Sequence, residues 1–442
     1  MTIRMDEGAA ELLDTLHRAG YAAYVVGGCV RDSLLGLTPH DWDLCTSALP
    51  QQGMKLFGEE KCIPTGLQHG TVTVKQGGGL YEITTFRTEG AYTDGRHPDE
   101  VHFVPDVRED LARRDFTINA MAYNEKEGLV DPFGGQADLQ SGVLRAVGVP
   151  HQRFTEDALR ILRLYRFAAR FGFAIDPPTA QAAQELCAHL DCVSVERIEE
   201  ELAKLLSAPA PAAYLDEKIL GVVLPELSPE ALAAAKPVVD ACPAGERALP
   251  VRLAALLLSL GEDGTRRTLR RLRCSNACIE ETAVLVREAV PGVPGAFSSD
   301  TNRAIPSPAL LPAATGSHPS GRSSEKLPAR PPVSLNIYTR KLLGQYGLKT
   351  VQRLAALGTA LQSERSADFA ALSELAEQLD ADGVCCRVSQ LAVNGRDLMA
   401  AGVPAGPGIR KMLEALLDGV IREEYPNERQ ALLAAVQQLA AS

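Results

Sequence analysis

Two carboxylates separated by one residue are the first feature of this sequence that could do chemistry. Asp41 and Asp43 flank Trp42. On an extended strand, side chains two residues apart point to the same face, so the sequence predicts two carboxylates side by side. Such a pair repels itself unless a cation lies between its members. Mg²⁺ typically takes one or two protein carboxylates plus substrate phosphates. We therefore predict that Asp41 and Asp43 are catalytic and bind Mg²⁺.

A glycine turn lies just before this pair, in the segment 24–32, which reads YVVGGCVRD. The apolar residues that open it predict a buried strand. Gly27 and Gly28 permit a tight turn that lets a ligand approach the main chain. A helix beginning at about Cys29 would aim its free N–H groups at that space, which suits a phosphate, and Arg31 adds a guanidinium.

The surrounding elements predict a sheet that would position these groups. Alternating apolar residues at 71–75 and 81–87 predict two strands joined by a glycine-rich hairpin turn. Glu82, on the second of these strands, is a weak candidate for a third metal-binding carboxylate. The polar, glycine-rich run 88–99 predicts a mobile loop. Residues 1–147 are therefore predicted to form a mixed, mostly antiparallel sheet with helices.

A band of charged residues follows at about residue 155. We predict one helix from an N-cap at Thr155 to Phe171, ended by Gly172. Asp157, Arg160, Arg163 and Arg166 recur every three residues, so on such a helix they form a slanting polar band. The pattern also fits a surface helix with ion pairs, and spacing alone does not separate the two interpretations.

The remainder of the chain has helical periodicity and no strand signal beyond residue 208. Residues 291–334 interrupt it with Pro, Ser, Gly and Ala, which predicts a disordered or loosely packed insert. Residues 402–411 form a glycine- and proline-rich loop before a helix. That loop could hold an RNA phosphate or simply connect two helices.

Composition narrows the class of protein. The 442 residues are 45% hydrophobic and 23% charged, which is ordinary for a globular protein of several domains. No apolar run reaches the ~18 residues that span a bilayer. The N-terminus also lacks a signal-peptide core. We therefore predict a cytoplasmic protein with no membrane partner. The net charge of −11 excludes a generally basic surface, although arginines cluster at 160–170 and 266–273.

Taken together, the motifs resemble the signature of the class II tRNA nucleotidyltransferase and bacterial poly(A) polymerase family. The resemblance covers about residues 20–205, and the tail 391–428 also looks like that of CCA-adding enzymes. The motifs that match, in the family's order, are Gly27-Gly28-x-Val30-Arg31-Asp32, Asp41-x-Asp43, Arg113-Arg114-Asp115, Glu156-Asp157-x-x-Arg160 and Ser194-x-Glu196-Arg197-Ile198.

This resemblance implies an α+β fold: a nucleotidyltransferase head at 1–147, then a helical neck at 148–207, body at 208–380 and tRNA-binding tail at 381–442. It implies a bacterial-type CCA-adding enzyme that adds C, C and A to the 3′ end of tRNA from CTP and ATP. The reaction would be a two-metal phosphoryl transfer that releases pyrophosphate and needs no nucleic-acid template.

The resemblance also assigns roles to individual residues. Gly28, Arg31 and Arg114 would hold the phosphates and sugar of the nucleotide. Asp157 and Arg160 would read the edge of the base, and Arg163 and Arg166 would support that site. Because C and A each present an amine donor and a ring-nitrogen acceptor, a carboxylate with a guanidinium could accept both and reject U and G.

Several alternatives stay open at this point. Within the family these are a poly(A) polymerase, an A-adding enzyme and a CC-adding enzyme, although the last is expected to lack the 88–99 loop. From another class, the chain could be an inactive RNA-binding module, which the intact Asp41 and Asp43 pair argues against. Residues 208–290 lack a His-Asp pair, so no phosphohydrolase activity is expected. The sequence leaves open whether the protein is a monomer or a homodimer.

Overall fold

The structure is a computed structural model that describes residues 3–90, 100–289 and 333–441. Two compact units divide the chain, Met1–Pro229 and Glu230–Ser442. The four-part division into head, neck, body and tail stays a prediction. No helix among the described residues is both long and apolar enough to span a membrane.

A seven-stranded sheet forms the centre of the first unit. Its strand order is β3-β4-β5-β2-β1-β8-β9. Every neighbouring pair is antiparallel except β2 and β5, which are parallel, so the predicted mixed, mostly antiparallel sheet is confirmed. The strands of the unit are β1 Ala23–Val26, β2 Leu44–Thr46, β3 Cys62–Gly66, β4 Thr71–Gln76, β5 Gly79–Thr85, β6 Arg87–Glu89, β7 Val101–Phe103, β8 Ala122–Asn124, β9 Gly128–Val130, β10 Val143–Leu144 and β11 Ala174–Ile175.

Strand β1 is apolar throughout because it lies inside the sheet, between β2 and β8, and all four of its residues are buried. Tyr24 and Val26 belong to a core that includes Phe86 and Leu111. The helices of this unit are α1 Glu7–Arg18, α2 Gly28–Leu34, α3 Pro50–Phe57, α4 Val107–Ala112, α5 Gly135–Ser141, α6 Pro150–Glu156, α7 Leu159–Phe171, α8 Pro177–Leu186, α9 Val195–Leu206 and α10 Glu217–Val223.

The predicted hairpin is confirmed, but its turn has two residues rather than the expected four, with φ of 57° at Gly77 and 86° at Gly78. Both central residues of such a turn need positive φ, which glycine adopts without steric cost. The start of the predicted 88–99 loop is wrong, because Thr88 and Glu89 belong to β6 and pair with β7. Residues 91–99, the rest of that loop, lie outside the described residues.

The second unit is helical throughout its described residues, as predicted. Of the predicted insert at 291–334, residues up to 332 lie outside the described residues. The next helix begins slightly earlier than expected, at Val333. The helices of this unit are α11 Pro229–Ala241, α12 Leu249–Leu257, α13 Gly261–Arg271, α14 Asn276–Ala289, α15 Val333–Tyr346, α16 Leu348–Leu361, α17 Ser366–Ala381, α18 Gly395–Ala400, α19 Pro407–Ile421 and α20 Arg429–Ala441.

Two helices of the second unit end in an unusual backbone conformation. Arg273, after α13, has φ of 58°, and Glu423, after α19, has φ of 61°. They are the two residues other than glycine with positive φ among the described residues. In each, the next N–H closes the helix end: Cys274 donates to Leu269 at 3.0 Å and Glu424 to Gly419 at 2.9 Å. This is the helix ending at which glycine is the usual residue.

Candidate active site

Asp41 and Asp43 lie immediately before β2 rather than on it, so the prediction that both stand on a strand is wrong. The antiparallel register with β1 explains why. Asp43 is the last residue that β1 can pair, through the Val26 N–H that donates to its carbonyl at 3.0 Å. Beyond Val26 the chain turns away at Gly27, which leaves Asp41 without a strand partner. Both aspartates are exposed.

A third carboxylate lies beside Asp43. The parallel register that pairs Leu44 with Ile83 brings the preceding residues, Asp43 and Glu82, alongside each other. Leu44 and Ile83 are buried, whereas Asp43 and Glu82 are exposed on the opposite face. Glu82, the weak candidate from the sequence, therefore lies beside Asp43, and its role as a third metal-binding carboxylate stays a prediction.

The pKa of Asp43 reflects the nearby carboxylates. Surrounding protein weakens its hydration, and the negative charges of Glu82 and Asp41 add to the effect, so the pKa of the Asp43 carboxyl is raised despite the opposing charge of Arg114. Excess negative charge of this kind favours a cation. Within the described residues, no three His, Cys, Asp or Glu side chains are grouped to hold a metal ion. The carboxylates present suit an ion that completes its shell with water and substrate oxygens.

The guanidinium of Arg114 lies over the glycine turn. Gly27 has φ of 75°, and a Cβ atom placed there would be 2.8 Å from Nη1 of Arg114. Arg114 Nη2 donates to Asp110 at 3.4 Å, while its buried Nε has no hydrogen-bond partner within the described residues. Any side chain at position 27 would therefore displace a cation that lies close to Asp43.

Arg31 is placed differently, inside the unit. It is 4% exposed, and it donates to Asp32 at 2.8 Å and to Asn119 at 2.5 Å. Its guanidinium also lies 5.3 Å and 5.0 Å from the ring centres of Phe167 and Phe171. Arg31 would contact a phosphate only by exchanging these partners, so its proposed nucleotide contact stays a prediction, as does that of Gly28.

The single helix predicted from Thr155 is in fact two helices. Pro150 occupies the first turn of α6, where its missing N–H carries no cost, so a helix already exists before Thr155. Asp157 then breaks it with φ of −145°. Oδ1 of Asp157 accepts from the N–H of Leu159 at 3.1 Å, so Asp157 rather than Thr155 satisfies the start of α7.

Asp157 is held by a residue to which the sequence assigned no role. Arg197 on α9 donates to both of its carboxylate oxygens, at 2.8 Å and 3.3 Å. A bidentate pair fixes the plane of the carboxylate as well as its position. The motif at 194–198 contained this arginine, but nothing in its spacing indicated that it reaches back to Asp157.

Arg160 is joined to helix α6 and to the segment that contains Arg113. Its guanidinium donates to Glu156 at 2.7 Å, to the Arg153 carbonyl at 3.1 Å and to the Arg113 carbonyl at 3.0 Å. The side chain is therefore fixed beside Asp157, three residues away.

Arg163 and Arg166 form a largely buried network with two acids. Arg163 donates to Asp115 at 2.9 Å and 2.6 Å, and Arg166 lies 2.5 Å from Glu201 on α9. Burial alone would raise the pKa of Asp115, but Arg163 and a hydrogen bond from Asn119 hold it well below its usual range. Burial lowers the pKa of Arg166 to about 10 even with Glu201 beside it. Ion pairs are therefore present along the arginine band, but they lie mostly in the interior rather than on a surface helix, and the base-reading role of the band stays a prediction.

Three consecutive residues link these parts of the site. Arg113 donates to Glu89 on β6 at 2.9 Å, Arg114 covers the glycine turn, and Asp115 accepts from Arg163 on α7. The segment after α4 thus connects the strand that leads toward residue 91, the glycine turn and the arginine helix.

Three family models match the chain. They are a poly A polymerase head domain at 23–145, a probable RNA and SrmB binding site of polymerase A at 172–230, and a tRNA nucleotidyltransferase domain 2 at 336–436. The CCA-adding enzyme of Limosilactobacillus fermentum is 35% identical over 98% of this chain and 97% of that protein. That of Geobacillus stearothermophilus is 34% identical over 96% and 95%.

Solved structures agree with these matches. The crystal structure of the Bacillus stearothermophilus CCA-adding enzyme in complex with CTP has a TM-score of 0.77 and 30% identity, covering 99% of this chain and 98% of that one. The Thermotoga maritima CCA-adding enzyme complexed with tRNA has a TM-score of 0.65 at 21% identity, which supports the fold alone.

Proposed function

The chain belongs to the family of CCA-adding enzymes, and on that premise we propose that it adds C, C and A to the 3′ end of tRNA from CTP and ATP and releases pyrophosphate. One structural observation supports the proposal most directly. The Asp43 carboxyl, with Asp41 and Glu82 near it, lies close to the Arg114 guanidinium that covers the Gly27 turn. This combination supports the proposal, because a metal ion needs negative charge and a triphosphate needs positive charge.

The family requires a divalent metal ion, and we propose that Asp41 and Asp43 hold Mg²⁺. The raised pKa of Asp43 supports this assignment, because reduced hydration and the negative charges of Glu82 and Asp41 disfavour its ionised form more than Arg114 favours it. When bound, a divalent ion would lower the pKa of the RNA 3′-OH and would neutralise charge on the pyrophosphate leaving group.

The protein's own groups then have to bind and align the nucleotide. Arg114 is proposed to donate to its phosphates from above the glycine turn, where the absence of a side chain at Gly27 leaves room. Phosphoryl transfer depends mainly on such positioning and charge neutralisation. Gly28 and Arg31 are proposed to complete this part of the site.

Base selection is proposed to rest on Asp157 and Arg160. Asp157 offers acceptor oxygens whose plane Arg197 fixes, and Arg160 offers donors held by Glu156. A donor and an acceptor at fixed positions suit the edges of C and A, and a mismatched edge leaves a polar group without a partner at a cost of about 1–3 kcal/mol. Arg163 and Arg166 support this arrangement from the interior. A cytoplasmic location completes the proposal, since the substrate would be tRNA.

The direct test uses tRNA transcripts that lack their last three nucleotides, incubated with CTP, ATP and Mg²⁺. We expect exactly three nucleotides, C, C and A, to be added, with pyrophosphate released in equal amount. Long A tails would indicate a poly(A) polymerase instead. Binding of the transcript without any incorporation would indicate an inactive RNA-binding module.

A further inference from the structure

The end of helix α13 carries an excess of arginine. Its sequence and the two residues that follow contain two acids at the start, Glu262 and Asp263, and then five arginines. The arginines are Arg266, Arg267, Arg270, Arg271 and Arg273. This is local positive charge in a chain whose net charge is −11.

Most of these arginines face solvent. Arg266 is occupied by Glu262, at 2.9 Å, and by Glu280. Arg267, Arg270, Arg271 and Arg273, which we call the α13 arginine surface, are all exposed. The side chains of Arg267 and Arg270 make no hydrogen bond or ion pair within the described part of the chain.

The other side of the helix explains why the arginines lie where they do. Thr265, Thr268 and Leu269 are fully buried, so packing fixes the orientation of the helix and turns Arg267 and Arg270 outward. The negative end of a helix dipole amounts to about half a charge, which one arginine would satisfy. Helix stability therefore does not account for the whole surface.

Arg273 differs from the other arginines in its backbone. It adopts a left-handed conformation at the position where helices usually have glycine, so its backbone is strained. Glycine at this position would relieve the strain. The Arg273 side chain extends the arginine surface beyond the end of the helix.

We propose that the α13 arginine surface binds the sugar–phosphate backbone of the RNA substrate. This inference rests on the proposed function, and it concerns a helix that lies between the segments matched by the second and third family models, 172–230 and 336–436. Guanidinium groups bind phosphate bidentately, and a nucleic-acid strand presents phosphates at short, regular intervals that several arginines can meet together. An acidic protein partner would lack that regularity.

The first experiment measures binding of a tRNA transcript lacking its CCA end to the full-length protein at several salt concentrations. We expect the double variant Arg267→Gln, Arg270→Gln to bind roughly tenfold more weakly and to reduce the slope of log K against log salt by about 1.5. KM for tRNA should rise while kcat at saturating tRNA stays unchanged. Arg18→Gln, which removes an exposed arginine from the last turn of α1, serves as the control and should change neither value.

The second experiment separates the charge of Arg273 from its strain. Arg273→Gly should raise the melting temperature by about 2 °C, because glycine relaxes the left-handed backbone, and yet weaken tRNA binding about threefold. Glu423→Gly relieves the same strain at the end of α19. It should raise the melting temperature equally without weakening tRNA binding.

The outcomes separate this inference from the proposed function. Unchanged tRNA affinity and salt slope in both α13 variants, with the wild type active, would overturn the inference alone and would favour an acidic protein as partner of the surface. A wild-type protein that neither binds tRNA nor incorporates nucleotides would overturn the proposed function.

Discussion

The arginines of α7 and those of α13 are arranged in opposite ways. On α7, Arg160, Arg163 and Arg166 each contact a carboxylate, and all three are mostly shielded from water. On α13, Arg267 and Arg270 are exposed without a partner in the described residues. A paired, shielded arginine holds its neighbours at fixed distances, whereas an exposed one leaves its charge available to another molecule. The same residue type thus supports geometry in one helix and electrostatic attraction in the other.

The largest expected effect is a loss of activity. It tests whether the first unit, where the shielded arginines lie, positions the carboxylates that bind the metal. Asp43→Asn should reduce nucleotide incorporation on the order of a thousandfold, since the metal contributes several kcal/mol to the transition state. tRNA affinity should stay within about twofold. Single-turnover incorporation and filter binding measure the two quantities. Asp14→Asn, an exposed acid on α1, is the control, and near-normal activity in Asp43→Asn would remove the metal assignment.

The next largest effect is on stability, and it compares a shielded pair with an exposed one. Glu201→Gln leaves Arg166 in the interior without its counter-charge and should reduce the free energy of unfolding by about 3 kcal/mol. Trp42 is the single tryptophan, so its fluorescence follows the first unit during denaturation. Glu414→Gln, at the exposed pair with Arg410 on α19, should cost about 1 kcal/mol or less and leave the Trp42 transition unchanged. Equal losses of unfolding free energy in the two variants would contradict this difference between a buried pair and an exposed one.

A smaller effect concerns nucleotide choice. Asp157→Ala should slow incorporation of C and A about 10- to 100-fold and should reduce discrimination against UTP, because the acceptor for the exocyclic amine is lost. Arg197→Ala should act in the same direction but less, since it frees the carboxylate without removing it. Competition between CTP and UTP measures both. Wild-type discrimination in Asp157→Ala would place base selection elsewhere.

The smallest effect is a pH dependence. Because the pKa of Asp43 is raised, protons compete with a metal there at higher pH than at an ordinary aspartate, so activity should decline as the pH falls through that raised value. A tenfold increase in Mg²⁺ should move the decline to lower pH by up to about one unit. Glu82→Gln, which removes one cause of the raised pKa, should move it in the same direction. A decline insensitive to Mg²⁺ would argue against proton–metal competition.

The sequence predicted the elements whose signals are local. The apolar run before Gly27, the paired glycines of the hairpin and the helical periodicity of the second unit each depend on neighbouring residues, and each was confirmed in the structure. The break at Asp157 was missed because the periodicity of three continues across it. Its cause lies outside that pattern, in Pro150, which starts a helix early, and in Arg197, which reaches Asp157 from α9.

In the candidate site, too, the features that depend on local sequence were predicted and those that depend on distant residues were not. Spacing predicted that Asp41 and Asp43 act together, but the end of their strand depends on how far β1 extends, which only the sheet register determines. The burial of Arg31 likewise depends on Asn119 and Phe167, which lie far along the chain. Residue types thus identified the chemistry, while tertiary partners decided which arginine is near solvent.

The segment Arg113-Arg114-Asp115 imposes a further constraint, on the length of the chain. Each of its three residues has a partner on a different element: Glu89 on β6, the turn at Gly27, and Arg163 on α7. A substitution would remove one of these links and leave the other two. An insertion or deletion of a single residue would shift all three side chains at once, and no local rearrangement could restore them together. The spacing of this tripeptide is therefore more tightly constrained than any one of its side chains.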